Sequence, residues 1–190
     1  MPPALLPREA VVDRLMLVLR RQGYAGASVA DLCEATGLGK SSLYHYFPDG
    51  KDDMARAVLA RLAVQLRTAL FIPLRTPGLP RQRINAMITT LDAFYRGGRE
   101  ACLLGSLAVG DSCRRFRPEL TAVFAEWTDA IAAALRDHGV APARARIRAT
   151  DAVIRIEGAL VLAAALGDIA PFTRTLRDLR HTLLAKAPVS

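Results

Sequence analysis

Residues 28–47, SVADLCEATGLGKSSLYHYF, carry two helix signals divided by one tight break. Ser28 stands where an N-cap belongs, and Asp31 three residues on completes a capping box. Leu32 and Cys33 face inward on this first helix, which Gly37 ends after two turns. A second helix restarts at about Lys40 and stops at Phe47, before Pro48. Two short helices joined by a glycine-centred turn form a helix-turn-helix, whose second helix presents its N-terminal end to a major groove.

The rest of the chain obeys the helical period. In REAVVDRLMLVLRRQG, Val11, Val12, Leu15, Val18 and Leu19 recur at three- and four-residue steps, and Gly23 stops the helix. A fourth helix starts near Asp49 and is expected to end before PLRTPGLPRQ, the clearest loop in the chain. RINAMITTLDAFYRGG reads as a fifth helix, and CLLGSLAVGDS as one short buried helix. Long helices follow at 117–138, opened by Pro118, and from Pro142 to about 166; a last one covers roughly 172–186. The expectation is an all-α chain of about nine helices.

Composition narrows the function classes. Of the hydrophobic 52%, little is aromatic, and Ala, Leu and Arg dominate, which favours helices. No run of 18 uncharged apolar residues and no signal-peptide pattern is present, so the expected location is cytoplasmic, without a membrane partner. His45, His138 and His181 lack metal spacing, and no nucleophile motif, acid–base pair or phosphate loop appears. Neither an enzyme nor a cofactor is expected. Cys33, Cys102 and Cys113 are read as reduced thiols, with redox sensing as the alternative. The net charge of +8 is a weak guide to a nucleic-acid partner, because residues 1–60 hold seven Lys or Arg against seven Asp or Glu. The whole excess lies beyond them.

Local arrangement carries the case for DNA. Lys40, Ser41 and Ser42 occupy the exposed end of the second helix: a charge, two small hydrogen-bonding groups, and unpaired backbone N–H groups that favour an anion. Leu43 and Phe47 lie on the opposite face. Tyr44, His45 and Tyr46 flank that stripe, either reaching phosphates with their polar tips or forming an ordinary amphipathic surface. Lys51 adds a cation nearby, so two of the three lysines bracket the proposed reading helix.

The run Gly37-Leu38-Gly39-Lys40-Ser41-Ser42-Leu43-Tyr44-His45-Tyr46-Phe47 resembles the recognition-helix signature of TetR-family transcriptional regulators. The match covers about residues 8–60. It implies a DNA-binding domain at 1–52, a ligand-binding and dimerisation domain at 53–190, a homodimer, and repression of a palindromic operator relieved by a small molecule. A ligand-independent or redox-sensing regulator is the alternative. Ser28, Gly39, Lys40, Ser41, Ser42, Tyr44, His45 and Lys51 are the expected contacts to double-stranded operator DNA. Gly39 departs from the usual serine cap, and FPDGK is one residue longer than the common form. That insertion, with ACLLGSLAVGDS, is similar to the LmrA/YxaF-like subgroup, although Ala101 replaces a glycine.

Two further sets are expected in the C-terminal half. Met87, Phe94, Tyr95, Leu103, Leu107, Phe116, Phe124 and Trp127 are candidates to line a cavity for a hydrophobic or aromatic ligand, or are simple core. GALVLAAALG, 158–167, is apolar all round and must be covered on every side. Ile156, Ala159, Leu160, Ala163 and Ala164 are the candidate dimer contacts, the alternative being the buried central helix of a monomer.

Overall fold

The computed structural model describes residues 6–185, among which helices α1 to α10 and no strand occur. They are α1 Arg8–Gly26, α2 Val29–Thr36, α3 Lys40–Tyr46, α4 Lys51–Arg75, α5 Pro80–Phe94, α6 Leu103–Leu107, α7 Gly110–Arg115, α8 Arg117–Asp137, α9 Pro142–Leu166 and α10 Ala170–Thr182. The chain packs as two compact units. One takes the residues up to Val64 together with Leu103–Leu120; the other takes Gln65–Cys102 and the chain from Thr121 onward. The division expected at 52/53 falls inside α4, whose residues up to Val64 pack with one unit and from Gln65 with the other.

In the first unit, Val11, Leu15 and Leu19 of α1 are buried, and α1 kinks at Gly23, where φ is 68° and ψ 173°. The Ser28 hydroxyl accepts from the Asp31 N–H at 3.1 Å while the Ser28 N–H donates back to Asp31 Oδ2 at 2.8 Å, closing the capping box. These bonds hold the Asp31 carboxyl below the usual aspartate range. At the other end of α2, Arg14 Nη1 donates to the Thr36 carbonyl at 2.7 Å, and Gly37 takes the left-handed conformation at φ 69°. Leu32, Leu43, Phe47, Met54 and Val58 close the small core, joined by Leu103, Leu104, Leu107 and Phe116 from far along the chain.

Two elements differ from expectation. The helix α4 does not end before PLRT; it runs through Pro73 to Arg75. A proline ring inside an α-helix clashes with the carbonyl four residues back. Here Arg67–Phe71 widens into a π-helical turn, handing the Ile72 N–H to the Arg67 carbonyl, so the helix passes the proline without breaking. By length and composition α4 is apolar enough to cross a membrane, yet Arg56, Arg61 and Arg67 pair with Glu119, Asp13 and Glu126. The second difference is that CLLGSLAVGDS forms two helices, α6 and α7, parted where Gly110 turns at φ 62°. That split accounts for ten helices where nine were expected.

In the second unit, α9 and α10 pack together, and α10 also packs on α5. Phe71 stacks on Trp127 at 6.5 Å between ring centroids, and Tyr95 meets the edge of Phe172 at 6.0 Å. Arg83, 8% exposed, donates to the Leu74 carbonyl at 2.9 Å and pairs with Asp137 at 2.8 Å.

Candidate nucleic-acid interface

Helix α3 is short because Gly39 starts it and Phe47 leaves helical geometry behind it. Leu43 and Phe47 are fully buried, which pins one face and turns the other outward. Lys40, Ser41, Ser42 and His45 are exposed on that outer side. No side chain caps the helix at Gly39, so its first N–H groups stay open to an incoming oxygen. The Lys40 Nζ stands 5.9 Å from the Tyr44 ring centroid, a cation–π contact that brings two of the expected residues together.

Tyr46 is different from its neighbours. Its hydroxyl donates to the Leu6 carbonyl at 2.7 Å, so its polar tip ties the chain before α1 to α3 and does not reach outward. Ser28 is exposed at the start of α2, its hydroxyl engaged in the capping box. Lys51 is half-buried over the Tyr24 ring, 4.5 Å from its centroid. Burial pushes its pKa down, while Asp52 and Asp31 pull it up.

The extra residue in FPDGK has a geometric reason. Gly50 sits at φ 71°, its N–H donating to the Phe47 carbonyl at 3.0 Å and its carbonyl accepting from Met54 at 3.1 Å. A Cβ there would lie 3.5 Å from the Tyr44 ring. The positive φ is what calls for glycine in this turn, and the Tyr44 ring lies at ordinary contact range from it.

A network of side chains that the sequence did not suggest holds this turn from behind. The Tyr24 hydroxyl donates to Asp52 Oδ1, and Arg115 Nη1 donates to Asp52 Oδ2 at 3.1 Å. Arg56 pairs with Glu119 at 3.2 Å and lies over Phe116, which meets Tyr24 edge-on at 5.1 Å. Burial and the Asp52 carboxylate push the Tyr24 phenol up to about 12, and the same bonds hold Asp52 below the aspartate range. Asp52 and Arg115 are 63 residues apart, a separation no local pattern reveals.

The expected ligand-lining residues do not gather in one body. Leu103, Leu107 and Phe116 belong to the core of the first unit. Met87, Tyr95 and Trp127 are buried in the second, with Phe94 and Phe124 half-buried there. The indole Nε1 of Trp127 is buried without a hydrogen-bond partner. An open cleft of about 340 Å³ beside His138, Arg144 and Arg148 contains none of the eight. Of the expected dimer contacts, Ile156, Ala159, Leu160 and Ala163 are at most 5% exposed in the folded chain, and Ala164 is exposed. The outward apolar side of α9 is instead Ile147, Ile154, Val161, Leu162 and Leu166, each more than half exposed.

An all-helical fold with an uncapped, cation-bearing second helix of a helix-turn-helix defines a DNA-binding regulator. Residues 13–58 match the family of bacterial regulatory proteins of the TetR type, and residues 80–178 match the C-terminal domain of LmrA/YxaF-like transcriptional regulators. The chain belongs to the TetR family, with an LmrA/YxaF-like C-terminal domain. It is 29% identical to an uncharacterized HTH-type transcriptional regulator of Mycobacterium tuberculosis over 96% of each chain. It is 24% identical to the HTH-type transcriptional regulator LmrA of Bacillus subtilis, covering 82% of this chain and 85% of that one. Among solved structures it resembles a cysteine mutant of the TetR-family regulator CifR complexed with double-strand operator DNA. There the TM-score is 0.77 and the identity 21%, over 96% of this chain and 99% of that one.

Proposed function

We propose that this transcriptional regulator is a homodimeric repressor that holds a palindromic operator and releases it when a small hydrophobic ligand fills its C-terminal domain. The carrying observation is the first turn of α3, where Lys40, Ser41 and Ser42 are exposed at an uncapped helix end. Lys40 and the two serines meet base edges and phosphates, Gly39 leaves the first N–H groups of α3 open to phosphate oxygens, and Ser28, Tyr44, His45 and Lys51 flank them. Residues 1–52 form the reading domain and 53–190 the ligand-binding and dimerisation domain, in a cytoplasmic protein.

The outward side of α9 supports the dimer. Ile147, Ile154 and Val161 recur at seven-residue steps, with the small Gly158 and Ala165 between and after them. That spacing makes a narrow apolar seam of the coiled-coil kind, which a second copy of α9 covers. A dimer sets two reading heads about one helical turn of DNA apart, or a multiple of that. A ligand that favours a spread state by about 1–3 kcal/mol spoils the fit, and operator must then weaken ligand binding by the same factor.

The test is a binding titration against the DNA upstream of the gene and against random DNA at several salt concentrations. Sequence-specific recognition keeps a large affinity gap between the two as salt rises. Equal affinities at every salt would sink the operator-specific reading.

A further inference from the structure

The chain entering α1 is tied to the reading helix at two points. Tyr46 donates its hydroxyl to the Leu6 carbonyl at 2.7 Å, and the Arg8 guanidinium lies over the Phe47 ring, 4.9 Å from its centroid. Successive helical residues turn by about 100°, so Tyr44 and Tyr46 stand about 200° apart and mark the two edges of α3. Ser41, Ser42 and His45 are exposed on the outer arc between them, and Leu43 is buried on the inner one. Lys40 sits against Tyr44, and the Gly50 turn into Lys51 lies against the same ring. The Tyr46 edge has no lysine or arginine of its own. What it holds is Leu6, two residues before Arg8.

A duplex's major groove is about 12 Å wide, little more than a helix with its side chains, so a helix in it has a phosphate strand along each edge. Phosphate contacts set position, and cations on one edge alone hold the helix to one strand. Arg8 supplies the other edge. It is exposed, and no carboxylate among the described residues pairs with it. By contrast, Arg14 is engaged by the Thr36 carbonyl and Arg56 by Glu119. A guanidinium lying flat on a ring keeps its N–H edge open, and that edge fits two phosphate oxygens at once. As a cover for Phe47 alone, an aliphatic side chain would serve as well.

We propose that Arg8 contacts an operator phosphate on the strand along the Tyr46 edge of α3, and that Tyr46 is a positioning residue that holds Arg8 there through Leu6. This rests on the reading of α3 as the helix that enters the groove. It adds one contact outside the expected DNA-binding set and the residue that places it.

The test is fluorescence anisotropy on the full chain with two labelled duplexes, one from the DNA upstream of the gene and one of random sequence, from about 50 to 200 mM salt. A phosphate contact is blind to sequence. Arg8→Ala therefore weakens binding to both duplexes and lowers the slope of log affinity against log salt by about 0.9 per reading head. Over that salt range its deficit shrinks about threefold per head. Arg8→Lys keeps the charge and restores the slope. Tyr46→Phe gives part of the same loss, and none where Arg8 is already alanine, as coupled partners require. An Arg8→Ala slope equal to wild type, even with a lowered Tm, makes Arg8 a cover for Phe47 and overturns the contact. Tyr46→Phe weakening binding equally with and without Arg8 overturns the positioning role. Lys40→Ala, run in parallel, separates the failures. If it weakens binding and Arg8→Ala does not, Arg8 alone leaves the site; if neither changes binding, the reading of α3 falls and this contact with it.

Discussion

Replacing Tyr24 by phenylalanine removes one hydroxyl from behind the reading turn and little else. The ring keeps its edge contact with Phe116 and its place under Lys51. What disappears is the bond to Asp52, the largest cause of that carboxylate's lowered pKa. Asp52 is not stranded, because Arg115 still bonds it and 30% of its side chain meets solvent. The phenol moves from 10.0 to about 12 chiefly because it is buried and only secondly because of the Asp52 bond, so the shift does not measure the bond. A part-buried hydrogen bond to a charged group is worth about 1–1.5 kcal/mol. Tm should fall by roughly 2–6 °C for a chain of this size. The pH dependence gives a sharper check. A folded-state pKa above the unfolded one adds stability that is complete below pH 10.0 and lost as pH rises toward about 12. Urea titrations of wild type should therefore show a declining alkaline limb that Tyr24→Phe flattens. If both proteins unfold at the same urea concentration with the same alkaline limb, the bond does not hold the turn.

Other substitutions probe the reading turn itself. Lys40→Ala should weaken operator binding and leave thermal unfolding nearly unchanged, since Lys40 is exposed; equal operator affinity takes Lys40 out of the site. Tyr44→Phe should cost about 1 kcal/mol of operator affinity if its hydroxyl bonds a phosphate, as read from a binding isotherm. Gly50→Ala should destabilise by about 1–2 kcal/mol, because alanine at φ 71° is strained; unchanged urea unfolding would contradict that.

Much of the reading head was legible because its determinants are local. The Ser28–Asp31 box, the Gly37 stop and the Leu43–Phe47 pair each act within a few residues, and the structure shows each. Tyr46 misled because its partner, the Leu6 carbonyl, is 40 residues away. Pro73 misled because the usual penalty assumes a regular α-helical ladder, and a π-helical turn removes the clash. The Tyr24–Asp52–Arg115 group combines three separate segments, so no spacing announces it.

Helix α9 shows the limit most clearly. Apolar residues surround GALVLAAALG, and a helix without a polar face has no moment to tell inside from outside. The pattern allows its small residues to be either a close-approach side or buried core, and Ala159 and Ala163 are at most 5% exposed in the folded chain. The larger Ile154 and Val161 are left outside, 62% and 63% exposed. The two phases predict different failures. Ala163→Arg forces a charge into packed core and should unfold the second unit, with urea midpoints falling at every protein concentration. Val161→Arg places the same charge on the proposed seam, so it should give folded monomers in sedimentation and lose operator affinity because the two heads are no longer linked. A folded, dimeric Val161→Arg protein would place the interface elsewhere. A folded, monomeric Ala163→Arg protein would restore the interface to the small-residue side.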